Sequence, residues 1–273
     1  MALIKLQDTP LDKVSVPFMK PMVLRGYCKD MWAIDKWKDD TYLRANFNNV
    51  EFDVETYKTK KDFETSKSGM ESQKFNEYLK DMYHKNIYIP DCDLVEYKGD
   101  IENCIFEDLI NPNDYKLGLK NNDGSVGVPE GYNLYIGVDT KTGMHCHIED
   151  DFMLNQIVGT KRVYVMSDFS MLNIKPLFNK YNNFSKENFF ELDFDKIDVY
   201  YADLEPGDSF CFTPWTWHAI KSDGYTLGMT KVWERKDQHL LYKGDDKWKP
   251  LRRRNFVSVV IPHKIQEWIK RVF

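Results

Sequence analysis

Two stretches of the sequence carry residues that could bind a metal. Gly143–Lys161, GMHCHIEDDFMLNQIVGTK, offers His145, His147 and Glu149 ahead of a Gly-Thr-Lys step. Leu204–Ile220, LEPGDSFCFTPWTWHAI, places His218 at the end of an apolar, aromatic run. Two imidazoles and one carboxylate are the set that holds non-haem Fe(II) on one face and leaves the opposite positions open. On a strand, residues i and i+2 share a face, so His147 and Glu149 can chelate one ion. His218 lies 71 residues after His147 (218 − 147), so only folding brings it near. His145 shares the same face, and a His145/His147 pair with a carboxylate from elsewhere satisfies a metal equally well. Lys161 alternates with Val163 and Val165; a lysine on the inward face of a strand requires an anion, whereas on an edge strand it would meet solvent.

The elements that must position these residues begin at Tyr132. Short β-branched and aromatic runs follow one another: Tyr132–Val138, His145–Glu149, Met153–Met166, Asp198–Leu204, Ser209–Thr213 and Thr226–Val232. Turn-formers separate them at Asp139–Gly143, Pro206–Asp208 and Ser222–Gly224. Many short strands with Gly/Pro turns imply an all-β sandwich or barrel. Upstream, Pro21–Leu24 reads as a short strand, Ala33–Phe47 and Met70–Tyr83 as helices, and 86–130 as irregular connection. Pro262–Phe273 carries Ile265, Trp268, Ile269 and Val272 at helical spacing behind a proline, the pattern of an amphipathic helix. That helix would pack on the core or on a second copy. Residues 1–273 are thus read as one domain: a helical and mixed region over 1–130, a β core over 131–235 and a C-terminal extension over 236–273.

Composition narrows the class. The chain has 38 basic against 43 acidic residues, a net charge of −5, which excludes a globally basic nucleic-acid binder. Arg252–Arg254 reads as a solvated segment before the last helix, the alternative being a patch that meets an acidic substrate or RNA. Five cysteines without C-x-x-C spacing read as reduced thiols of a cytoplasmic protein. No apolar run approaches the ~20 residues of a membrane span, and the first residues lack the layout of a signal peptide.

Three segments, in order, give the chain a family likeness. KPMVLRGYCKDMWAIDKW (Lys20–Trp37), HIEDDFMLNQIVGTKRVYV (His147–Val165) and DLEPGDSFCFTPWTWHAI (Asp203–Ile220) together resemble the JmjC-type, cupin-like family of Fe(II)/2-oxoglutarate oxygenases. The resemblance implies a double-stranded β-helix, a jelly-roll with flanking helices, which the strand pattern alone does not specify. It implies Fe(II) on His147, Glu149 and His218, because the first ligand of the family lies about a dozen residues before the glycine of the G-x-K step, here Gly159. His145 then becomes a supporting residue or a substitute ligand. It implies 2-oxoglutarate as cosubstrate on Lys161, with Tyr135 and Thr142 as candidate hydroxyl donors, and O2 as oxidant. The implied activity is hydroxylation of a protein or peptide side chain, with a tRNA base or small metabolite as alternative substrate and a catalytically degenerate scaffold as the rival class. Two departures stand out: several relatives carry an asparagine where this chain has Phe152, and others where it has Lys231. If Lys231 points inward, the cosubstrate has two cationic candidates. Asp208 reads as a turn residue, Trp217 as core or pocket wall, and Trp215 as a candidate for lining the substrate site.

Overall fold

The computed structural model describes residues 3–14, 16, 18–47, 50–65, 68–120, 124–147, 151–166, 184–185, 188–193, 198–214 and 216–233. Glu149, Trp215, Arg252–Arg254 and the expected helix Pro262–Phe273 lie outside them. In chain order the strands are β1 (Leu3–Lys5), β2 (Met22–Leu24), β3 (Glu51–Thr56), β4 (Gly69–Lys74), β5 (Ile87–Asp93), β6 (Gly131–Val138), β7 (Lys141–His145), β8 (Asp151–Met166), β9 (Val199–Leu204), β10 (Ser209–Phe212) and β11 (His218–Trp233). The helices are α1 (Ala33–Lys36), α2 (Asp40–Asn46), α3 (Phe75–Asp81), α4 (Asn103–Asp108) and α5 (Pro112–Leu117).

Two long strands organise the molecule. β8 and β11, 16 residues each, pair antiparallel along their length, and each changes its outer partner midway. β8 pairs with β10 through Phe152–Asn155 and with β9 through Lys161–Met166. β11 pairs with β7 through His218–Lys221 and with β6 through Tyr225–Val232. The result is two sheets sharing a bent seam, β1-β9-β8-β11-β7 and β2-β10-β8-β11-β6-β5-β3-β4. This is the jelly-roll arrangement.

The bend has a local cause. Gly159 sits at φ +70°, and a Cβ there would lie 2.2 Å from the Tyr225 carbonyl oxygen, so only glycine fits. Opposite it the β8–β11 register slips between Asp223 and Leu227, the extra residues of a bulge that turns the strand. Ser222–Gly224, expected as a turn, therefore lies inside β11.

Alternation along the bent strands sorts side chains to two cores. Leu134, Ile136, Met153, Ile157, Leu227 and Met229 face outward and meet Trp37, Leu43, Phe47, Phe75, Tyr78, Ile105 and Leu109 of the N-terminal layer. Each such aliphatic or aromatic burial stabilises by about 1.5–3 kcal/mol. Phe152, Leu154, Val163 and Val165 face into the roll, with Phe210, Phe212 and Trp217.

The N-terminal layer differs from the expected one. Asp39, in extended conformation, accepts a hydrogen bond from the Thr41 amide at 2.8 Å; this cap splits Ala33–Phe47 into α1 and α2. Met70–Tyr83 is not one helix, since Gly69–Lys74 pairs with β3 before α3 begins. The 86–130 region is built rather than irregular: it holds β5, α4 and α5, the helices being only six residues each, too short to show a period. Asp208 does more than shape its turn. It accepts from the amides of Gly26 and Glu205 and from the Arg25 guanidinium, tying the 206–208 turn to the segment after β2. All five cysteines are free thiols, and among the described residues no helix is long and apolar enough to cross a membrane.

Candidate metal centre and anion pocket

The two long strands and β7 bring three histidines together inside the roll. His218 opens β11 and stands opposite His145, the last residue of β7; their ring centroids are 4.2 Å apart. His147 follows two residues later, beyond the end of the strand, with its ring 5.1 Å from that of His218. The strand expected over His145–Glu149 therefore stops at His145, and its i/i+2 argument does not apply to His147. The three histidines each offer one ligand atom within 4.8 Å of the others.

Their environment keeps them in the form that binds metal. Burial holds all three imidazoles below the usual histidine range, and for His147 and His218 the neighbouring imidazoles push in the same direction. They are neutral, with lone pairs to give. His145 Nδ1 lies 2.8 Å from the Gly143 carbonyl oxygen and His218 Nδ1 2.9 Å from that of Thr216. A carbonyl only accepts, so each Nδ1 carries the hydrogen and each Nε2 the lone pair. This outer bond is the one that orients metal-bound histidines.

Phenylalanines close the site on three sides. Phe152 stacks on His147 with centroids 3.9 Å apart, Phe184 stacks on His145 at 5.0 Å, and Phe212 lies 4.3 Å from His218. Phe152 thus serves as an apolar wall.

Lys161 enters the same cavity from β8. It is 4% exposed, its ammonium lies 5.5 Å from the Tyr135 ring, and among the described residues no carboxylate pairs with it. Burial alone pulls its pKa down to about 7. Lys231, the second cationic candidate, does not share the cavity. It points to the outer face and forms a buried ion pair with Asp114 at 2.6 Å, both side chains 1% exposed; Tyr27 donates to the same carboxylate. Its neighbour Thr230 takes the inward position instead, so among the described residues a single lysine lines the pocket.

Tyr135 and Thr142 also line the cavity. The Tyr135 hydroxyl donates to Asp91, a residue at φ +41° where β5 slips register against β6. The Asp91 charge reaches His145 and His147, opposing the effect of burial on both. Three features were not apparent from sequence. Tyr88, which lines the cavity, lies in the segment expected to be irregular. Thr230 was legible in principle as the residue alternating with Gly228 on an inward face. Gly228 matters because a Cβ there would lie 2.8 Å from the Lys161 ammonium and 3.1 Å from Leu154; its missing side chain houses the lysine head.

The cavity bounded by these residues is small, about 40 Å³, room for only a few waters. A five-carbon diacid therefore requires Lys161 and the aromatic walls to move aside. The donor set fits a divalent cation, and the isolated lysine fits a carboxylate.

No curated protein matches the chain. A family model described as cupin-like domain matches residues 13–239. That span takes in the N-terminal layer, both sheets apart from β1 and all the cavity residues named above, and the chain belongs to the cupin-like domain family.

Proposed function

We propose that this protein is an Fe(II)/2-oxoglutarate-dependent oxygenase that hydroxylates a side chain of a protein or peptide. The observation that carries the reading is one cavity holding both a cluster of neutral imidazoles and a buried lysine that pairs with no carboxylate among the described residues. Each half needs an occupant: lone pairs converging in an apolar site call for a cation, and a buried ammonium calls for an anion. A 2-oxo diacid bridging the two would satisfy both.

Bound iron would supply the activation of O2 that couples conversion of 2-oxoglutarate to succinate and CO2 with insertion of oxygen into a substrate C–H bond. The chain's own groups do the rest. His147 and His218 hold the ion, with Glu149 or His145 completing the face. Lys161 binds the distal carboxylate of the cosubstrate through a charge-assisted hydrogen bond. Thr142 and Thr230 offer hydroxyls to the same group from the cavity wall. Phe152, Phe184 and Phe212 exclude water, which strengthens every electrostatic contact within.

The test is succinate formation by purified protein supplied with Fe(II), O2 and 2-oxoglutarate, first alone and then with peptides, tRNA or free amino acids. Succinate that requires iron and rises with one substrate class supports the reading and names the substrate. Tight metal binding with no consumption of 2-oxoglutarate would instead favour a cupin-type metal protein of another chemistry, a rival that the three-histidine cluster itself brings forward.

A further inference from the structure

The three histidines are not equivalent partners of an ion held by His147, Glu149 and His218. An octahedral ion that keeps three positions for small ligands has three for the protein. His147 and His218 take two, so His145 and Glu149 compete for the third. We propose that His145 takes it, so that the protein presents an all-imidazole face, a proposal that rests on the metal reading of this cavity.

Three observations support His145. It ends β7 directly across from His218 in the β7–β11 register, so a rigid ladder sets its position. Its ring is the nearer of the two to His218, 4.2 Å against 5.1 Å for His147. Its Nδ1–H bond to the carbonyl two residues before it repeats the His218 bond to Thr216, giving both the same tautomer with Nε2 as the donor atom. Bonds of about 2.1 Å to one ion place adjacent nitrogens roughly 3 Å apart; from within 4.8 Å, small side-chain rotations suffice.

The exchange has an electrostatic consequence. Three neutral imidazoles leave the ion its full double charge, one unit more than a site with a carboxylate. Together with Lys161 this makes the cavity more strongly anion-seeking, in keeping with a doubly charged cosubstrate.

The experiment loads the purified chain with Co(II) alone and counts the hyperfine-shifted, exchangeable imidazole N–H signals in its proton NMR spectrum. Three are expected, two of them slow to exchange because the Gly143 and Thr216 carbonyls hold them. His145→Ala removes one, while Glu149→Gln keeps all three. His145→Gln, which preserves volume, replaces the alanine variant if that one fails to fold. A count of two in the native chain, or an unchanged count in the His145 variants, overturns the proposal. Because no 2-oxoglutarate is present, the two readings separate. Three signals without succinate production leave the ligand set standing and sink the oxygenase, and succinate production with two signals does the reverse. A chain that takes up no Co(II) overturns both.

Discussion

Replacing Lys161 by methionine is expected to stabilise the metal-free protein while crippling cosubstrate binding. The Lys161 pKa falls from 10.5 to about 7 through burial. Between those values the unfolded chain holds the proton and the folded chain releases it. Stability therefore rises with pH across that window. The deficit relative to a group that stays neutral is about 4 kcal/mol at pH 7 and about 2 kcal/mol at pH 9. Lys161→Met keeps the length of the side chain and removes the ammonium, so urea denaturation of the apoprotein is expected to show a gain approaching 4 kcal/mol at pH 7 that shrinks by about half at pH 9. Binding moves the other way. Loss of a charge-assisted hydrogen bond of about 1.5–3 kcal/mol weakens 2-oxoglutarate affinity by roughly 10- to 150-fold, with metal affinity little changed. At pH 8 roughly a tenth of Lys161 is charged before binding, so calorimetry in buffers of different ionisation enthalpy is expected to record uptake of nearly one proton per cosubstrate bound. An apoprotein no more stable than the native chain at pH 7, or 2-oxoglutarate binding without proton uptake, refutes the argument that this lysine waits for a carboxylate.

Three further outcomes follow from neighbouring positions. Gly228→Ala places a methyl 2.8 Å from the Lys161 ammonium, a flexible group that can yield, so titration is expected to show 2-oxoglutarate affinity down about tenfold, about 1.4 kcal/mol, with the melting temperature nearly unchanged. Lys231→Met leaves the Asp114 carboxylate buried with Tyr27 as its remaining side-chain donor among the described residues, and chemical denaturation is expected to show a loss of about 3–5 kcal/mol with cosubstrate affinity retained, the opposite of the Lys161 variant. Gly159→Ala forces a side chain into positive φ against the Tyr225 carbonyl, and a loss of more than about 2 kcal/mol, seen by the same denaturation, is expected.

Legibility in the sequence followed the length and regularity of each element. Lys161 was readable because six residues of strand alternate cleanly around it, and the inward assignment holds. Lys231 sits on an equally regular strand, but its face depends on a buried partner, Asp114, that lies 117 residues earlier and in a helix too short to recognise. His145 and His218 were visible as metal-binding residue types. Their juxtaposition depends on the β7–β11 register, and residue spacing carries no such information. The same holds for the phenylalanines stacked on the histidines, which read as ordinary core. Helix assignments failed where a local device intervened, the Asp39 cap in one case and strand pairing ahead of α3 in the other. The jelly-roll itself came from family likeness, since short strands alone are equally compatible with other sandwiches.

The most direct measurement is the visible absorption of the anaerobic protein as Fe(II) and then 2-oxoglutarate are added. A weak charge-transfer band that needs both additions, and that His218→Ala abolishes, is predicted, because it arises only when the 2-oxo acid chelates iron held by these histidines. Iron bound at full stoichiometry with no such band at saturating 2-oxoglutarate would contradict the account.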